Sequence, residues 1–145
     1  MQAAATLERR ERSISARPVS KDSIIHFEEG LIGFSECKDF VLMENDELAP
    51  FHMLESTEKP EIGFVVLDPT TVMKDYYGVV PAREWEALGI TDSADLLAFV
   101  ICIIGATPRE CSGNFQAPLI INYKKMIGRQ IILTDSSLSV RQPLL

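Results

Sequence analysis

The chain is 145 residues long, with 46% apolar and 24% charged residues and a net charge of −7. These figures describe a single soluble globular domain large enough to bury a core, and an acidic body of this kind repels nucleic acid and attracts basic partners. Cys37, Cys102 and Cys111 are odd in number and widely spaced, with no C-x-x-C pair, which argues against a disulfide framework or a zinc site and fits a reducing compartment.

No signal peptide is expected, because Glu8, Arg9, Arg10, Glu11 and Arg12 stand where an apolar segment is required. The longest apolar run, residues 96–104, falls well short of the roughly 18 residues of a membrane span. The expectation is a cytoplasmic protein without membrane contact. Residues 1–21 carry +3 and the remainder −10, most of it in residues 22–61, where eleven acidic residues face only Lys38 and Lys59. Residues 110–145 are slightly basic through Lys124, Lys125, Arg129 and Arg141. Two poles of opposite sign suit a protein that meets more than one partner.

Taken in order, residues 1–21 lack periodicity and read as a disordered tail, followed by one domain over 22–145. Residues 24–27 are a short strand; the turn after them carries Gly30 and Gly33, with Leu31 and Phe34 dropping into the core. Residues 40–43 form the next strand and lead into an acidic turn, Glu44, Asn45, Asp46 and Glu47, which lacks the spacing and central Gly of a calcium loop. Two strands follow in 50–56 and 60–69, the second ended by Asp68 and Pro69. Residues 76–80 read as extended. Residues 81–88 read as a two-turn helix, with Pro81 in its first turn, Trp85 and Leu88 on one face, Glu84 and Glu86 exposed and Gly89 as its stop. The Val and Ile content of 96–104 favours a central strand, and 107–113 reads as a loop. Residues 114–133 form a β-hairpin: two β-branched runs flank a polar turn, Pro118 opens the first, and Gly128 stands where a positive φ is expected. Neither run alternates, so both faces of the hairpin are covered. Residues 134–145 read as a polar segment and a short tail. The fold class is all-β: a small antiparallel roll or barrel with one or two short helices.

Catalytic chemistry finds little support. His26 and His52 lie in apolar strand patterns and read as hydrogen-bonded structural histidines. Cys111 with His52 as base lacks an orienting third group, and Cys102 sits in the most apolar strand as core. No enzyme, cofactor or metal is expected, and Lys124, Lys125 and Arg129 are too few for a phosphate-tracking groove.

Three ordered motifs resemble the FliW family of flagellar assembly factors. Gly30, Leu31, Gly33 and Phe34 form the first, with Ile32 where the family usually has Pro; Pro50, Phe51, Ser56, Pro60, Asp68 and Pro69 form the second, with Met53 and Glu55 in place of an aromatic residue and Gln. Asn114, Ala117, Pro118, Leu119, Ile120, Ile121, Asn122, Gly128 and Gln130 form the third. The resemblance implies a protein that binds the translational regulator CsrA and relieves its repression of flagellin synthesis, with flagellin as competing partner and a monomer when free. The alternative is a cytoplasmic flagellin chaperone that does not bind CsrA; a small hydrolase or redox protein using Cys111 is a further rival. Candidate partner contacts are the acidic stretch, Glu44, Asp46, Glu47 and Glu55, and the hairpin, Pro118, Ile120, Asn122, Lys124 and Gln130. Pro118, Ile120 and Asn122 have an alternative reading as fold determinants, since Asn114 and Asn122 can close turns through their side-chain amides.

Overall fold

The computed structural model describes residues 17–18, 23–134 and 137–145. Its elements are β1 (Arg17–Pro18), β2 (Ile24–Phe27), β3 (Asp39–Glu44), β4 (His52–Ser56), β5 (Gly63–Leu67), α1 (Ala82–Ala87), β6 (Leu96–Ile103), β7 (Ser112–Gly113), β8 (Leu119–Asn122), β9 (Ile127–Gln130) and β10 (Gln142–Pro143), joined in places by 3-10 turns. Seven strands close a barrel in the order β6-β5-β4-β3-β2-β9-β8, with β8 returning to β6. A closed ring of odd number cannot alternate direction throughout, and here β2 and β9 run parallel, His26 beside Ile127 and Phe27 beside Gly128. The expected antiparallel barrel therefore contains one parallel pair. β6 is forked: residues 96–99 pair with β8, and Cys102 and Ile103 pair with β7.

Strand alternation sorts the apolar side chains into two cores. Phe27, Phe40, Leu42, Leu54, Phe64, Val66, Phe99, Leu119 and Ile121 fill the barrel. Phe27 meets Phe40 edge-on at 5.8 Å between ring centroids, and Phe34 meets Phe64 at 5.3 Å. Met53, Val65, Leu67, Val100, Cys102 and Ile120 point outward and are covered by Tyr76, Val80, Trp85, Leu88, Leu133 and Leu138. Hence β5 and β8 are buried along their whole length, as their unalternating sequences require.

The covering layer departs most from the sequence reading. Residues 76–79, expected to be extended, form a 3-10 helix, because two tyrosines anchor them. The Tyr76 hydroxyl donates to the Phe115 carbonyl, and the Tyr77 hydroxyl accepts from Ala98 N at 2.9 Å while its ring stacks on Trp85. α1 ends at Gly89, whose φ of +76° reverses the chain. Glu84, expected to be exposed, is half-buried and reaches Arg129 on β9 at 3.4 Å. The loop at 107–113 contains a 3-10 turn, Pro108–Glu110, and β7. The presumed C-terminal tail is structured: β10 pairs with β7, and Leu138 and Leu144 pack on the outer core. Of the presumed N-terminal tail, Arg17–Pro18 pairs with Met43 and Glu44; residues 1–16 and 19–22 lie outside the described residues.

The hairpin forms as expected, but its glycine works differently. The positive φ falls on Met126, at +55°. Gly128 is needed for space, because a Cβ there would lie 2.7 Å from the Phe27 ring and 3.1 Å from the Ile120 carbonyl oxygen. Gly128→Ala is therefore expected to lower stability by about 1–3 kcal/mol through overpacking at the β2–β9 junction, read as a lower urea midpoint at unchanged m-value.

Candidate partner-binding site

Connections leave the barrel at two ends. β3, β5 and β8 finish, and β4, β6 and β9 start, at the end that carries the 45–51 and 123–126 connections. Asp46 and Glu47 are exposed there in a 3-10 turn whose first residues are held by Asn45 Oδ1 accepting from Glu47 N at 2.9 Å. Glu44 sits opposite His52 in the β3–β4 ladder at the same end, and Lys124 lies exposed on the hairpin tip. Glu55 is half-buried farther along β4, opposite Val41 and Gly63. The structure thus groups Glu44, Asp46, Glu47 and Lys124 and separates Glu55 from them.

The acidic pole read from the sequence is split by the fold. β2, β3 and β4 form a meander, so the acidic block is divided: Glu28, Glu29 and Glu36 connect strands at one end, and Asp46 and Glu47 at the other. Alternating strand direction converts a run of like charge in sequence into two smaller groups at opposite ends.

The hairpin candidates are mostly internal. Ile120 is fully buried; Pro118 is buried and its carbonyl accepts from Ile131 N. Asn122, 2% exposed, donates through Nδ2 to the Leu88 carbonyl at 2.9 Å, and its Oδ1 accepts from Lys124 N and Lys125 N. It thereby closes the hairpin turn and ties it to the end of α1. Asn114 Oδ1 likewise accepts from Gln116 N and Ala117 N. Gln130 is half-buried and bridges the barrel rim, its Oε1 accepting from Ile32 N at 2.8 Å and its Nε2 donating to the Ala117 carbonyl at 3.0 Å. Asn122 and Ile120 are not available as partner contacts in this fold, because their polar groups and surfaces are already engaged within it.

Each end holds a cavity of about 300 Å³. The Gln130 end is apolar, walled by Phe34, Phe64, Ile101 and Ile103, with Ile32 and Val140 on its margin, 56% and 54% exposed, and Arg141 beside them. The other end combines Leu97 and Phe99 with His52, Asp68 and Tyr123. Sequence reasoning missed Ile32, Val140 and Tyr123; the readable signal was a large apolar or aromatic residue inside a turn or terminal segment, where packing is not expected to hold it.

The catalytic rivals do not assemble. His52 faces the barrel interior against Phe99, whereas Cys111 lines a cavity on the outer face beside Leu67 and Val72. Burial pushes the Cys102 thiol up to about 12, which leaves it protonated and inert. Among the described residues no group of three or more His, Cys, Asp or Glu is placed to hold a metal ion, and no helix is long and apolar enough to cross a membrane.

His26 is hydrogen-bonded, as its sequence context suggests, but through both ring nitrogens to carboxylates at the surface. Its side chain is 42% exposed, with Nδ1 at 2.7 Å from Asp39 and Nε2 at 2.9 Å from Glu28. The hydrogen bond to Asp39, then that to Glu28, raises its pKa above 6.5. A raised folded-state pKa gives stability that is fully present below about pH 6.5 and lost as pH rises through the folded value. Thermal melts across pH 6 to 8.5 are expected to show a steeper decline for the wild type than for His26→Gln, with equal slopes overturning the linkage. Asn122→Ala is expected to lower stability by about 1–3 kcal/mol, by stranding the Leu88 carbonyl and two backbone N–H groups. At a temperature where the variant remains folded, its partner affinity should match the wild type.

The family model described as FliW protein matches residues 9–144. The flagellar assembly factor FliW of Leptospira interrogans serogroup Icterohaemorrhagiae serovar Lai is 38% identical over 128 residues, covering 88% of this chain and 85% of its own. That of Caldanaerobacter subterraneus subsp. tengcongensis is 35% identical over 127 residues, covering 87% and 85%. A crystal structure of the flagellar assembly factor FliW superposes with a TM-score of 0.78 at 32% identity, covering 89% of this chain and 90% of that one. With the family model matching residues 9–144 and relatives 35–38% identical over most of their length, the chain belongs to the FliW family of flagellar assembly factors.

Proposed function

We propose that this chain acts in the cytoplasm by exchanging protein partners and not by catalysis: it captures CsrA, thereby relieving repression of flagellin synthesis, and flagellin competes for it. The observation that carries this reading is the acidic body, −10 outside the first 21 residues. Exposed carboxylates stand at both ends of the barrel, Asp46 and Glu47 at one and Glu28, Glu29 and Glu36 at the other. A body of this charge docked beside a basic RNA-binding protein lowers the potential that attracts phosphate, so RNA is released without its surface being occupied.

A second reading, a flagellin chaperone that does not bind CsrA, is favoured by the apolar end, where Ile32 and Val140 stand exposed beside a cavity of about 300 Å³. Such a surface suits an apolar segment of an unassembled filament subunit. Titration calorimetry separates the two: CsrA binding abolished by saturation with flagellin supports partner exchange, whereas flagellin binding with none to CsrA supports the chaperone. For the electrostatic component, inhibition of CsrA–RNA binding is expected to weaken as ionic strength rises past physiological values, where the Debye length is about 8 Å. Inhibition unchanged across that range, with CsrA still bound, would sink it.

A further inference from the structure

The cavity at the Asp46 end of the barrel has a one-sided inventory of polar groups. Its lining contains Asp68, His52 and Tyr123 against the apolar walls of Leu42, Leu97 and Phe99, and no lysine or arginine. Asp68 Oδ1 accepts from Thr70 N and from the Thr70 hydroxyl at 2.9 and 2.7 Å, which fixes the carboxylate at the cavity wall. His52 Nδ1 is buried and has no partner among the described residues; in the tautomer protonated at Nε2 it is an acceptor. The Tyr123 ring is 45% exposed on the margin. A carboxylate and an aromatic face around an apolar slot, with an imidazole nitrogen still in need of a partner, fit a cation on an aliphatic stem once His52 takes the Nε2-protonated tautomer.

We propose that this cavity receives one lysine or arginine side chain from a basic partner, its stem lying on Leu97 and Phe99 and its charged head between Asp68 and His52. The assignment rests on the partner reading above and adds where that partner is gripped. Size argues for a single side chain: about 300 Å³ is the lower limit of ligand pockets. The surroundings argue for positive charge. Asp46 and Glu47 follow β3 at this end, and Asp92 and Asp95 flank the turn into β6, whose Ala94 lines the cavity. The basic residues here, Lys124 and Lys125, are exposed on the hairpin tip and are not part of the lining.

Two probes test the proposal on the full chain. Nα-acetyl-arginine amide, titrated into isotopically labelled protein, is expected to shift the amides of Ala94, Leu97, Phe99 and Tyr123 and the His52 ring, and to lose that effect in Asp68→Asn, which retains the cap to Thr70 N. Ala94→Lys, at an exposed position, places a tethered cation in the slot and should also abolish the shifts. CsrA affinity should fall roughly tenfold or more in both variants, as for loss of a buried interfacial anchor, with melting temperatures unchanged. Arginine shifts that are absent or centred elsewhere overturn the site itself. CsrA affinity unchanged in both variants, with wild-type binding intact, overturns its use by the partner and leaves partner exchange standing. Arginine binding at the slot with no wild-type affinity for CsrA keeps the site and removes that partner.

Discussion

The barrel depends on β8 finding two neighbours at once, β9 through a local hairpin and β6 across the ring. Local pairing alone yields a meander with exposed edges; the second pairing removes them and encloses the aromatic interior. With seven strands, closure forces one parallel contact, and it falls between β2 and β9, which lie about a hundred positions apart in the chain. Gly128 sits at that contact, where Phe27 leaves no space for a side chain. The ring therefore closes, with no room for a side chain at Gly128, at its strand pairing of greatest sequence separation and greatest closure entropy.

A small barrel encloses one core, yet this chain builds two, because its strands are apolar on both faces. The outer core is covered by segments with little regular structure, held by individual polar anchors: Tyr76 to Phe115, Tyr77 to Ala98 and Asn122 to Leu88. Each satisfies a backbone group that the covering layer would otherwise strand without water. The wall thus carries the covalent order of the domain, and the cover follows from a few side chains that reach backbone groups in other elements. Among the described residues, the ends of the ring and the outer-face cavity at Cys111 remain open to other molecules.

That division explains what was legible in the sequence. β2 to β6, the hairpin and α1 could be read because local patterning and turn residues agree with the tertiary structure. Residues 76–79 could not: their β-favouring composition is overridden by two hydroxyls whose partners lie far along the chain. The C-terminal arm was missed for a similar reason, since two-residue strands have no period to detect. The candidate site was legible only in part. Pro118, Ile120 and Asn122 belong to the motif that identifies the family, but burial shows them maintaining the fold. Glu44, Asp46 and Glu47 lie at the surface end that a partner can reach, while the cavities at both ends draw on residues from strands distant in sequence, which no linear motif displays.

The fork in β6 separates two requirements that a single sheet edge usually couples. Its first half completes the ring with β8; its second half carries β7, and through it β10. Substitutions in the arm can reshape the outer cover and the margin bearing Val140 and Arg141 without altering any hydrogen bond that closes the ring. The arm can accordingly vary in sequence and shape while the wall and its closure stay as they are.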